Sequence, residues 1–128
     1  MSFLLSTPDA GQPRKIFSNR EDSAMGVNEK DWKLFRRLLP EWQEAYMEKL
    51  CREYAEILTS DENASERFWK MEKRLRTDKR SPGVIITDMR RSTMFQNLTR
   101  LYLDQIITEK DLDGFSDELK QTVLDMLP

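Results

Sequence analysis

The sequence contains no histidine and only one cysteine, Cys51, among its 128 residues. Histidine is the only side chain whose ordinary pKa lies close to neutrality. Its absence removes the Ser/His and Cys/His nucleophile pairs and nearly all zinc and non-haem iron sites. A single cysteine forms no internal disulfide and no Cys-x-x-Cys pair, and we interpret Cys51 as a small residue of the core. We therefore expect a protein that is not an enzyme and that binds no metal and no cofactor.

Long apolar runs are also missing. No stretch of the sequence approaches the roughly 18 uncharged apolar residues that a membrane-spanning helix needs. The opening Phe3–Leu5 run is short and has no basic residue before it, so it does not match a signal peptide. Apolar residues make up 38% of the chain and charged residues 34%, against typical values of about 45–50% and about 25%. The sequence predicts a cytoplasmic protein with a small core, a highly charged surface and no membrane contact.

The net charge of −2 hides two opposed blocks. Residues 41–66 contain eight Asp or Glu against two Lys or Arg, and residues 67–91 contain nine Lys or Arg against three Asp or Glu. Adjoining blocks of opposite sign create oriented electric fields, which matter for association more than for the fold.

Helical periodicity begins near residue 28. Residues 1–27 hold two of the five prolines and two of the four glycines, which is typical of a terminal segment that does not fold alone. From the N-cap residue Asn28 onward, apolar residues recur at spacings of three and four. We expect an all-α protein in which residues 28–128 form a compact bundle of five to six helices, preceded by a flexible N-terminal arm at residues 1–27.

Breaker and capping residues set the expected helix boundaries. Pro40 is expected to end a first helix and to open a second one, which runs to Leu58. A third helix is expected from about residue 62–66 to about residue 79. The stripe along its apolar side is thin, because most of its residues are charged.

The chain after Ser81-Pro82-Gly83 is the most apolar part of the sequence. An apolar repeat from Ile85 to Ile106 predicts a further helix, with a strand as the local alternative at 84–87 because Val-Ile-Ile-Thr is β-branched throughout. Thr108 is expected to cap a short turn and Ser116 to cap the last helix.

The basic stretch within residues 67–91 is the most specific candidate for a functional surface. It can be interpreted as a phosphate-binding surface with an aromatic side chain that stacks on bases. It can also be the solvated face of a helix that pairs with Glu44, Glu48 and Glu56 of the preceding acidic helix, and the net charge of −2 favours this second interpretation. The candidate residues are Arg67, Trp69, Lys70, Lys73, Arg74, Arg76, Lys79, Arg80, Arg90 and Arg91.

Two weaker patterns involve carboxylates. Asp111-x-Asp113-Gly114 does not match a calcium loop, because its glycine stands at position four and its twelfth residue is Thr122. The pair Glu44 and Glu48 could share a helix face and hold magnesium, but an acidic helix produces such pairs by chance. A turn between two helices and a solvated surface explain these residues.

Several separated blocks occur together and in one order: NEKDWKLF at 28–35, LPEWQEAYM at 39–47, FW-x-MEKR at 68–74, MRRS at 89–92 and D-x-FSDELK at 113–120. In these blocks the chain resembles a family of short uncharacterised proteins of anaerobic Firmicutes. The resemblance implies an all-α cytoplasmic protein, often encoded on a mobile element, with no established activity. The family begins close to Met25, so the arm at residues 1–27 departs from its pattern.

These observations favour a small non-catalytic module that binds or regulates a protein through charged and aromatic helix surfaces. The arm at residues 1–27 is a candidate contact for that protein partner. The alternative is a nucleic-acid-binding protein that uses the basic stretch 67–91, and a magnesium enzyme built on carboxylates is the weakest hypothesis.

Overall fold

The computed structural model describes residues 27–128, and every regular element in that range is a helix. The four α-helices are α1 (Glu29–Leu58), α2 (Ala64–Asp78), α3 (Met94–Leu103) and α4 (Asp117–Asp125), with short 3₁₀ helices at Arg91–Thr93 and Glu109–Leu112. The all-α prediction is confirmed. The predicted number of five to six helices is not, because residues 27–128 contain four α-helices. The N-terminal arm predicted at 1–27 lies outside the described residues except for Val27.

The helix α1 is continuous through Pro40, so the prediction of two helices that meet there is wrong. A proline inside a helix removes one backbone hydrogen bond and crowds the preceding turn. Here Phe35 and Leu39 before the proline and Leu50 after it are all buried. The free energy gained by burying side chains on both sides of Pro40 is larger than the cost of the one backbone hydrogen bond that the proline removes. The start of α1 is as expected, since Asn28 Oδ1 accepts a hydrogen bond from the Lys30 backbone N–H at 2.8 Å.

The helix predicted across residues 85–106 is also partly wrong. Residues 84–90 are irregular, and the helix begins only at Met94. The Asp88 carbonyl accepts hydrogen bonds from Thr93 Oγ1 at 2.7 Å and from Asn97 Nδ2 at 3.0 Å. These side chains satisfy the backbone in a turn rather than in a helix. The alternative strand at 84–87 does not form either within residues 27–128.

The hydrophobic core lies between the first half of α1, the helices α3 and α4, and the 3₁₀ helix at Glu109–Leu112. Trp32 and Trp42 contribute to it, with Phe35 between their rings at centroid distances of 6.2 and 6.3 Å. The buried apolar residues of this cluster are Val27, Trp32, Phe35, Leu39, Met94, Leu98, Leu101, Ile107, Leu112, Phe115, Leu119 and Val123.

A buried carboxylate joins the two ends of the domain. Asp31, in the first turn of α1, accepts hydrogen bonds from Ser116 Oγ at 2.6 Å and from the Ser116 backbone N–H at 2.9 Å. The Ser116 hydroxyl in turn accepts from the Leu119 backbone N–H at 3.1 Å and caps α4. The first turn of α1 therefore holds the start of the last helix in place.

The second half of α1 and the whole of α2 form a hairpin that reaches beyond this core. Leu50 is the only buried residue of α1 after Pro40, and α2 contains no buried residue. A 15-residue helix in a small domain usually buries one face. The hairpin is therefore the part of the described chain with the most unpartnered helix surface.

Candidate interaction surface

The two helices of the hairpin are joined by a small network around Arg74. Its Nη2 donates to Glu53 Oε1 on α1 at 2.7 Å, and its Nε donates to Asp78 Oδ2 at 3.2 Å. The Tyr54 hydroxyl donates to the same Asp78 oxygen at 2.6 Å, and the Arg74 guanidinium lies 5.5 Å from the centre of the Tyr54 ring. One arginine thus bonds a carboxylate of each helix and stacks on a tyrosine.

The pKa values of the network follow from these contacts. Burial and the hydrogen bond to the Asp78 carboxylate raise the pKa of Tyr54 to about 12. The hydrogen bond from Arg74 lowers the pKa of Glu53, and the same bond raises the pKa of Arg74. The charged forms of Glu53 and Arg74 and the neutral form of Tyr54 are therefore the forms that close the hairpin.

The connection between α1 and α2 is fixed by two basic residues. Arg67 donates through Nη1 to the Leu58 carbonyl at 2.7 Å and through Nε to the Glu62 carbonyl at 3.0 Å. Lys70 Nζ lies 2.6 Å from Glu62 Oε1. Arg67 thus satisfies carbonyls at the end of α1 and in the turn, which is a structural role.

Three further arginines of the predicted surface bond carboxylates. Arg76 bonds Glu72 one turn away through two nitrogens, at 3.1 and 2.6 Å. Arg90 bonds Asp88 at 2.5 and 2.7 Å. Arg91 bonds Glu29, at the start of α1, at 3.0 and 2.7 Å, and its guanidinium lies 5.5 Å from the centre of the Trp32 ring.

The ten predicted residues therefore lie in two separate parts of the structure. The helix α2 and its C-cap carry Arg67, Trp69, Lys70, Lys73, Arg74, Arg76 and Lys79, and Arg80 follows directly, whereas Arg90 and Arg91 belong to a separate turn. Pairing with the acidic block 41–66 occurs, but through Glu53 of α1 and Glu62 of the turn that follows it. The expected partners Glu44, Glu48 and Glu56 form no ion pair with residues 67–80. Within residues 27–128, Lys73, Lys79 and Arg80 bond no carboxylate.

The exposed aromatic residue of this surface is Trp69. It is 63% exposed, and its ring meets the ring of Phe68 edge-on, with 5.0 Å between the ring centres and 87° between the planes. Lys73 and Arg76 follow Trp69 at spacings of four and seven, so the three side chains share one stripe of α2, and Arg80 follows two residues beyond the end of the helix. Glu53 and Asp78 hold Arg74 on the side towards α1. We call Trp69, Lys73, Arg76 and Arg80 the outward face of α2.

A cleft of about 390 Å³ lies where α2 ends. Lys79 and Arg80 line one wall, the irregular segment 85–88 lines another, and Asn97 and Arg100 of α3 close it. Arg100 also bonds no carboxylate within residues 27–128. Sequence reasoning missed Arg100, because its approach to Arg80 depends on the turn that Asp88, Thr93 and Asn97 stabilise.

Cys51 is exposed, so its assignment to the core is wrong. The prediction placed it on the apolar side of α1, but the core packs against the first half of that helix, and Cys51 lies in the second half, beyond the core.

Residues 27–128 contain no group of three Asp, Glu or Cys side chains placed to hold a metal ion. In the same part of the chain, no helix combines the length and apolar character that crossing a membrane would require. Comparison of the chain with protein-family models, curated proteins and solved structures finds no match. The resemblance to a family of anaerobic Firmicutes therefore stays a prediction.

Proposed function

We propose that this chain is a non-catalytic cytoplasmic protein that binds, and thereby regulates, a protein partner through the outward face of α2. The single observation that carries the proposal is the exposure of Trp69 beside Lys73 and Arg80, two cations that bond no carboxylate within residues 27–128. The lone cysteine supports the cytoplasmic part of the proposal, because disulfides are rare in the cytosol. The helical fold supports the part that invokes a helix surface.

The geometry supports a partner that offers carboxylates around an apolar pocket. Exposed tryptophan and arginine are the residues that most often dominate the free energy of a protein interface. Trp69 would fill a pocket of the partner. Lys73 lies one turn further along α2 and Arg80 lies just beyond its end, where acidic side chains could meet them. Because Arg74 and Glu53 already hold α2 on α1, the surface is formed before the partner binds, which reduces the entropic cost of association.

Selection from a random peptide display library tests this proposal and requires no identified partner. The full chain is immobilised, and enriched peptides are expected to contain acidic residues flanking an apolar one. The Trp69→Gln and Lys73→Glu/Arg80→Glu variants should lose that enrichment. Ile85→Gln, which also changes an exposed apolar residue, is the matched control and should keep it.

The selection has two outcomes that would overturn the proposal. One is the absence of any enriched acidic sequence with the unchanged chain. The other is equal enrichment with the unchanged chain and with the Trp69→Gln variant. A parallel selection with residues 25–128 tests the arm, and a loss of enrichment there would assign part of the contact to residues 1–24.

The second candidate function is nucleic-acid binding, and the cleft lined by Lys79, Arg80 and Arg100 favours it. Three cations without carboxylate partners within residues 27–128 surround one concave surface. Phosphates could lie against them, and Trp69 could stack on a base. Arg90 and Arg91, in contrast, are held by Asp88 and Glu29, which lowers the positive charge available to phosphates.

Titration with short single-stranded RNA and DNA at two salt concentrations separates the two functions. Nucleic-acid binding through three cations would weaken steeply as salt rises, because each neutralised phosphate releases a counterion. It would also be lost in the Arg100→Glu variant. The proposed protein-binding function predicts no measurable binding at either salt concentration.

A further inference from the structure

The two sides of the α1–α2 hairpin differ in chemistry. On one side, Arg74 bonds Glu53 at 2.7 Å and Lys49 lies 3.6 Å from the same carboxylate. At 100° per residue, Cys51 and Leu58 lie about 140–160° from Glu53 around α1. Phe68 and Leu75 lie about 100–120° from Arg74 around α2. Since the helices are antiparallel, both pairs fall on the same side of the hairpin, opposite the ion pairs.

These four residues form an exposed apolar strip that crosses both helices. Phe68 is 62% exposed, Leu58 and Leu75 are each 46% exposed, and Cys51 is exposed. We call Cys51, Leu58, Phe68 and Leu75 the apolar strip. The half-buried side chains of Met47 and Met71 lie on the same stripes of α1 and α2, and they extend the strip towards the inside of the hairpin.

We propose that a second copy of this chain covers the apolar strip, so that two hairpins form a four-helix bundle. Two antiparallel helices with one apolar side each leave that side in water, and two such hairpins packed face to face bury both sides. The proposal goes beyond the binding of a protein partner, since the apolar strip and the outward face of α2 share no residue.

Charge complementarity between the two borders of the strip favours a second copy of this chain as the partner. It also determines how that copy is oriented. Glu44 and Glu48 border the strip on α1, and Lys79, which bonds no carboxylate within residues 27–128, borders it on α2. The neighbouring Arg76 and Glu72 bond each other and neutralise each other's charge. A two-fold axis parallel to the helices places α1 of each copy against α2 of the other, so that the acidic border meets the basic border. A two-fold axis across the helices would pack α1 of one copy on α1 of the other, so that the acidic block at residues 41–66 meets itself, and like charges repel. We therefore assign the arrangement with α1 on α2.

The mass of the full chain in solution, measured by light scattering over a concentration series, tests the proposal. The unchanged chain is expected to shift from monomer to dimer as concentration rises, and the Leu75→Glu variant is expected to stay monomeric at every concentration. Leu103→Glu is the matched control, because Leu103 is 48% exposed on α3, outside the hairpin. It should form dimers like the unchanged chain.

Glutamate is a good helix former, and both leucines are partly exposed, so the variants should fold. Circular dichroism spectra equal to those of the unchanged chain check this point. An unchanged chain that is monomeric at the highest concentration would overturn the proposal. A Leu75→Glu variant that forms dimers as the unchanged chain does would overturn the assignment to this strip.

Exchange of charge across the interface tests the orientation. Glu48→Lys alone and Lys79→Glu alone should each weaken the dimer, because each places like charges together. The double variant should restore most of the affinity, since it exchanges the two signs across the interface. A double variant that dimerises no better than the single variants would rule out α1 packed on α2.

Discussion

At the scale of single residues, Gly83 shows why the chain takes its particular path after α2. A Cβ atom on Gly83 would lie 2.8 Å from Ile106 Cγ1 and closer still to the ring of Tyr46. Gln43 Nε2 donates to the neighbouring Pro82 carbonyl at 3.0 Å, which holds this segment against α1. The glycine is therefore required by close approach to a helix.

We predict that Gly83→Ala lowers the free energy of unfolding by about 1–3 kcal/mol, because the added methyl group overpacks a fixed site. Urea denaturation measures the change. Gly114→Ala is the matched control, since its Cβ would lie 3.4 Å from Leu34 Cδ2, close to an ordinary contact, and we expect a smaller effect. Equal effects of the two substitutions would show that the contact with Tyr46 and Ile106 is not the cause.

Asp31 is a second residue whose role depends on the tertiary structure. The sequence indicated only that an acidic residue in the first turn of α1 is favourable. In the structure the Asp31 carboxylate is buried and accepts two hydrogen bonds from Ser116, 85 residues later. Sequence spacing along α1 contains no information about that partner, so this contact could not be predicted.

We predict that Asp31→Ala lowers the free energy of unfolding by about 1–3 kcal/mol, because it leaves the Ser116 backbone N–H without an acceptor in a part-buried site. Thermal or urea unfolding measures the loss. Asp117→Asn changes an exposed acidic residue in the first turn of α4 and should have a much smaller effect. If the two substitutions cost the same, the buried bonds to Ser116 do not hold the two helices together.

At the scale of elements, the α1–α2 hairpin depends on the ionisation state of Tyr54. Its pKa is raised to about 12 in the folded chain, against about 10 for tyrosine in an unfolded chain. The folded state therefore keeps the proton more tightly, and its contribution to stability is complete below pH about 10 and is lost as pH rises towards 12.

We predict that ultraviolet titration of the unchanged chain shows one tyrosine that ionises near pH 12. That step should disappear in the Tyr54→Phe variant, which keeps the ring beside Arg74 and removes the hydroxyl that bonds Asp78. The stability of the unchanged chain should fall more steeply above pH about 10 than that of the variant. If the step that the variant lacks lies near pH 10 instead of near pH 12, the bond to Asp78 is contradicted.

The elements also show what periodicity can and cannot predict. The spacing of apolar residues correctly indicated an all-α protein, and capping residues correctly marked the starts of α1 and α4 at Asn28 and Ser116. Pro40 was misleading because packing on both sides of it holds α1 together. Residues 84–90 were misleading because side chains of Thr93 and Asn97, not a helix, satisfy the backbone there.

At the scale of the whole molecule, the acidic and basic blocks behind the near-neutral net charge partly neutralise each other in space. The acidic and basic blocks do meet, at Arg74 with Glu53 and at Lys70 with Glu62. The sequence predicted contact between the blocks but not these partners, because the register of two helices depends on the turn between them. Within residues 27–128, Lys73, Lys79 and Arg80 bond no carboxylate. These cations, together with Trp69, make the proposed surface basic and aromatic.

The measurement that tests this account most directly is calorimetric titration of the unchanged chain and of Trp69→Gln with the most enriched acidic peptide. Loss of a central tryptophan in an interface costs about 2 kcal/mol or more, which is a loss of affinity of about thirtyfold or more. We predict such a loss for Trp69→Gln and an unchanged affinity for Ile85→Gln. Equal affinities of the unchanged chain and Trp69→Gln would contradict the central claim that α2 binds a protein partner through its outward face.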